Sequence, residues 1–69
     1  MKRFVLEKGD YIELHDLLKV TGLCPTGGAA KVEIAEGLVQ VDGLVEKRKR
    51  SKIRKGQRVG YQGEVIVIE

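Results

Sequence analysis

The sequence predicts an α+β domain, with two short packed helices in a helix–turn–helix-like arrangement on a small antiparallel sheet. Three observations lead there. Two apolar helical patterns, each closed by a glycine, stand only a few residues apart. Two later stretches alternate in strand fashion around Asp42-Gly43 and Gln62-Gly63, dipeptides suited to tight hairpins. The helices precede most of the strands, which segregates the two kinds of element as α+β folds do.

Arg3-Phe4-Val5-Leu6-Glu7 reads as a short strand, ended by Lys8-Gly9-Asp10. Asp10 is placed to cap the first helix, with Glu13 three residues on, as a capping box requires. Between Ile12 and Val20 the residues Leu14, Leu17 and Leu18, with Thr21 beyond, share one face at about 100° per residue. His15, Asp16 and Lys19 share the other. Gly22 ends this helix, and Leu23-Cys24-Pro25 makes a tight joint to the next. Thr26 can cap the second helix through its hydroxyl, and Gly37 stops it in the left-handed conformation that glycine adopts without steric cost. Ala30, Ile34 and Leu38 follow an i, i+4, i+8 line, with Lys31 at its edge. Val39-Gln40-Val41, Asp42-Gly43 and Leu44-Val45 then spell a type I′ hairpin. Lys55-Gly56-Gln57 reads as a turn, and Arg58 to Ile68 as a closing hairpin whose last strand is apolar enough to be largely covered.

At 69 residues there is room for one domain, spanning residues 1–69. One Cys and one His exclude an internal disulfide and a closed zinc site, and fit a reducing compartment. The opening apolar run breaks after three residues, short of a signal peptide, and no stretch approaches a membrane span. A soluble, cytoplasmic protein is expected. The net charge of +3 conceals a segregation: residues 47–58 hold eight of the thirteen basic residues and no acid, while all ten acidic residues lie elsewhere. Such a face on an otherwise acidic body draws polyanions, although a charge run can also be a plain solvated loop.

Arg48, Arg50 and Lys52 alternate, so on an extended segment their side chains share one face and present a row of phosphate-binding cations. Lys49 and Arg54 belong to the same run and stand as further candidates. Gly27 and Gly28 bare the amides of a helix N-terminus, which suits either an anion or close packing on the first helix. Lys19 and Lys31 can flank that surface. His15 reads as an exposed residue of the polar side with nucleic-acid contact as the alternative, Cys24 as a small packing residue, and Glu46 as a partner for an arginine of the run. Neither a catalytic constellation nor a metal, cofactor or small-molecule substrate is expected, and the basic run has no apolar face to insert into a membrane. With Phe4, Tyr11 and Tyr61 as the aromatics, a stacking platform for successive bases is lacking, which favours recognition of a nucleic acid by shape and phosphates.

These residues together resemble the S-four domain, the RNA-binding module named after a small-subunit ribosomal protein. The resemblance rests on Leu14, Leu17, Leu18 and Gly22; on Thr26, Ala30 and Ile34; on Gly37, Val39, Val41, Asp42 and Gly43; and on Gly56. It covers a core of about residues 12–59. Thr26-Gly27-Gly28-x-Ala30-Lys31 and Glu46-x-Arg48-x-Arg50-x-Lys52 are similar to the small stand-alone bacterial branch. The chain departs from the frequent pattern at Gly27, where Arg is common, at Gln57, where Asp is common, and at Tyr11-Ile12-Glu13, where Arg-Leu-Asp is frequent. The resemblance implies a non-enzymatic protein that binds structured RNA such as ribosomal or transfer RNA, and through it the ribosome. The reading from another class is a small interaction module whose basic face docks an acidic protein.

Overall fold

Leu14, Leu17 and Leu18 are wholly buried, and the molecule is built around the stripe they form. The computed structural model describes residues 1–7 and 9–69. Lys8, part of the predicted end of the first strand, lies outside them. Strand β1 (Lys2–Phe4) leads through β2 (Ile12–Glu13) into α1 (Leu14–Val20), then α2 (Gly27–Ala35), β3 (Val39–Val41), β4 (Leu44–Val45), β5 (Lys52–Ile53), β6 (Arg58–Tyr61) and β7 (Glu64–Ile68). A five-stranded sheet has the order β1-β7-β6-β3-β4, and β2 with β5 forms a separate two-stranded ladder. Two helices on a largely antiparallel sheet is the architecture the sequence predicts. One addition is parallel: β1 pairs with β7, Lys2 opposite Ile66 and Phe4 opposite Ile68.

The local signals behave as read. The Thr26 hydroxyl accepts the amide of Ala29 at 3.0 Å, closing the first turn of α2. Gly22 and Gly37 take φ +80° and +78° just past the two helices, and Asp42 and Gly43 take +52° and +83° at the hairpin turn. Thr21 binds back to Leu17 O through its hydroxyl at 2.7 Å. One joint between helix and sheet is polar: the Tyr61 hydroxyl donates to Glu33 Oε1 at 2.6 Å, which raises the phenol's pKa. Cys24, also in this region, is buried, and burial pushes its thiol pKa up.

Four expectations are corrected. The first strand ends at Phe4, although the chain beyond it stays tied to the residue after β7 through Leu6 N–H to Glu69 O at 2.9 Å. Ile12 and Glu13 are strand, and Asp10 does not cap α1: Glu13 occupies the N-cap position and makes no side-chain cap. The free amides of the first turn, Leu14 N and His15 N, donate instead to Ser51 O at 2.9 Å and Lys49 O at 3.1 Å. Leu38 leaves the apolar line of α2 because the helix ends at Ala35; it is half exposed, and Val39 takes the buried position. His15 is not exposed, its side chain being 12% accessible. Among the described residues no helix is long and apolar enough to cross a membrane.

Candidate nucleic-acid interface

The basic run is shaped by the helix it caps. Because the carbonyls of Lys49 and Ser51 are committed to the start of α1, the segment bends there: Lys49 and Arg50 form a turn, closed by Ser51 N–H to Arg48 O at 3.1 Å. The expected continuous extended segment is therefore replaced by a turn followed by β5. The bend still gathers the alternating trio. Arg48, Arg50 and Lys52, with Ser51, line one open hollow of about 460 Å³.

Glu46 is the anchor of that bend. Its Oε2 accepts from the Arg48 amide at 3.1 Å and Nε at 3.0 Å, while Oε1 accepts from Arg48 Nη2 at 3.2 Å and the Ser51 hydroxyl at 3.2 Å. These bonds, led by that of the Arg48 side chain, hold the Glu46 carboxyl down to about 2. Arg48 thus spends part of its planar fork within the protein, while Arg50 and Lys52 have no side-chain hydrogen bond or ion pair among the described residues. At the far end, the Asp42 carboxylate accepts from Arg58 N at 3.0 Å and Gln57 Nε2 at 3.2 Å, and Gln57 Oε1 accepts from Arg54 N at 2.8 Å. The β3–β4 turn and the turn at Gly56 are thereby tied together, with Gln57 as the bridge.

The remaining candidates divide. Lys49 is exposed beside the hollow and contributes its carbonyl to α1. Lys19 is exposed in the last turn of α1, away from the end that meets the basic run, where its charge complements the helix dipole. Lys31 is half-buried on α2 and does not line the hollow. Gly27 lies against the His15 ring, since a Cβ there would stand 3.5 Å from His15 Nδ1, and the first turns of both helices meet at that histidine. A Cβ on Gly28 would meet only the Thr26 hydroxyl, 3.8 Å away.

His15 is a bracing residue: Nε2 bonds Glu13 Oε1 at 2.8 Å, and Nδ1 is sealed from water 3.5 Å from Asp16 Oδ1. Donor atoms of Glu13, His15 and Asp16 lie within 4.8 Å of one another, the single such group among the described residues. Tyr11 is the side chain that sequence reasoning left out of the basic surface. Its ring lies 5.0 Å from Lys52 Nζ and 5.6 Å from the Arg54 guanidinium carbon. The β2–β5 register, Ile12 opposite Ile53, creates that meeting, and two-residue strands leave no periodic signal to announce it.

The comparison with known proteins agrees with this fold. A sequence model described as "S4 domain" matches residues 4–69, nearly the whole chain. The chain belongs to the S4 domain family. This S4 domain is 48% identical over 68 residues to the "Putative RNA-binding protein YbcJ" of Escherichia coli (strain K12), covering 99% of this chain and 97% of that one. The figures are the same for the "Uncharacterized protein YbcJ" of Shigella flexneri. The solution structure of Escherichia coli YbcJ, described as revealing an αL motif involved in RNA-binding, superposes with a TM-score of 0.75 over 99% of this chain and 86% of that chain.

Proposed function

We propose that this S4 domain is a non-enzymatic protein that binds structured RNA, double-helical or folded, such as ribosomal or transfer RNA, in the cytoplasm and including on the ribosome. The observation that carries the reading is the acid-free segment 47–58, folded so that Arg48, Arg50 and Lys52 surround one hollow. Cations converging on an open concavity suit the phosphates of a helical backbone. Lys49 and Arg54 extend the surface, and Gly27, Gly28, Lys31 and Lys19 form its outlying part on the two helices. The name of the Escherichia coli relative and the description of its structure support RNA as the ligand. The proposed chemistry is charge and shape.

The test compares a folded RNA hairpin with an unstructured poly-pyrimidine strand of equal length by gel retardation. The hairpin is expected to be retarded at lower protein concentration. Equal or tighter binding to the strand defeats the reading. In parallel, partners pulled down from a lysate should be lost on nuclease treatment; partners that persist would favour docking to an acidic protein.

A further inference from the structure

Tyr11 stands between two surfaces. On one side are Lys52 and Arg54, whose charges lie 5.0 and 5.6 Å from its ring centre. On the other is an open hollow of about 430 Å³, floored by Phe4, Val5, Leu6, Tyr11 and Ile12, with Glu7 at its rim. The floor is apolar and accessible, Val5 being 56% and Tyr11 40% exposed. A volume within the ~300–1,000 Å³ range of small-ligand pockets has room for one base and its sugar, and not for a run of them. Lys52 belongs to both places: it lines the hollow of the basic trio and it covers Tyr11.

We propose that this second hollow receives a single unpaired nucleotide of the bound RNA, its base against the Tyr11 ring and its flanking phosphates at Lys52 and Arg54. The proposal rests on the RNA-binding reading above and adds to it a preference: a helix interrupted by a bulged nucleotide, or one continued by a short unpaired end, is favoured over an uninterrupted helix. An apolar hollow that shares Tyr11 with two neighbouring cations matches a nucleotide, which joins a π-face to a charged phosphate. It suits an apolar peptide less, because such a ligand offers no anion to the neighbouring Lys52 and Arg54. Continuity through Lys52 gives the geometry, since backbone phosphates on the trio and a base on Tyr11 belong to one path across the surface. A lone aromatic stacks one base, so an unstructured strand gains little.

The test uses the intact chain and two RNA hairpins identical except for a single bulged 2-aminopurine, with affinity read by anisotropy and stacking by 2-aminopurine fluorescence. The bulged hairpin is expected to bind about tenfold tighter, within the range that one base–aromatic stack confers, with its fluorescence quenched. Tyr11→Leu should abolish preference and quenching, so that the two hairpins bind alike, and Tyr11→Phe should keep both. Circular dichroism checks the fold of each variant. Equal wild-type affinity for the two hairpins without quenching would overturn the nucleotide site and leave RNA binding standing. A preference that survives Tyr11→Leu would overturn its assignment to this hollow. Absence of binding to either hairpin would overturn both readings.

Discussion

Replacing Arg48, Arg50 and Lys52 together with Gln should flatten the salt dependence of RNA binding without unfolding the protein. All three side chains are exposed, and none of them belongs to the buried core. A phosphate contact contributes about 0.7–0.9 to the slope of log K against log salt, so three equal contacts would account for about 2.1–2.7. The structure lowers that figure. Arg48 is already paired with Glu46 through Nε at 3.0 Å and Nη2 at 3.2 Å, and its charge is partly offset before RNA arrives. Arg50 and Lys52 then dominate, and a flattening of about 1.4–1.8 is expected, with Arg48→Gln alone changing the slope least of the three. The control variant is Lys47→Gln with Lys49→Gln. Lys47 runs over the end of α2, where an added Cβ on Gly37 would stand 3.3 Å from its Cε, so it stands apart from the hollow. Anisotropy titrations across a salt series, with circular dichroism as the folding check, give the slopes. If the 47/49 pair flattens the slope as much as the triple variant, the run acts as a diffuse cloud of charge and the assignment of site residues is wrong.

Further outcomes test the scaffold. Gly43→Val places a β-branched residue at φ +83° and should cost about 1–3 kcal/mol, read as a lower melting temperature; an unchanged value would contradict the turn geometry. Asp42→Ala should also destabilise, through loss of the bonds to Arg58 N and Gln57 Nε2 as well as through the turn. The Glu46 carboxyl is lowered on folding from 4.5 to about 2, so its contribution is complete above about 4.5 and is lost as pH falls toward about 2. In Glu46→Gln, a melting-temperature profile over that window should be flatter than wild type; superimposable profiles would mean that the Arg48–Glu46–Ser51 contacts do not form in solution. Gly27→Ala should be as stable as wild type or more stable by up to about 1 kcal/mol, read as an unchanged or raised melting temperature, because its Cβ meets His15 Nδ1 at an ordinary 3.5 Å. A marked loss would show that His15 packs more tightly against α2.

By itself the sequence determined what depends on neighbours a few positions apart. The burial of Leu14, Leu17 and Leu18 follows from helical periodicity, the cap at Thr26 from one hydroxyl within reach of its own first turn, and the turns at Gly22, Gly37 and Asp42-Gly43 from a local tolerance of positive φ. The charge segregation that marks the candidate surface is likewise written in the order of residues. The tertiary structure decided whatever joins distant positions. The amides that open α1 are met by carbonyls of Lys49 and Ser51 and not by nearby Asp10, since a backbone carbonyl carries no sequence signature. That docking turns an expected straight segment into a bend. Likewise β1 joins β7 in parallel although the two lie at opposite ends of the chain. Tyr11 comes under Lys52 and Arg54 only because Ile12 pairs with Ile53. Propensity, capping and periodicity act over one or two turns, whereas strand pairing across some forty residues is selected by the packing of the whole core, which no local window contains.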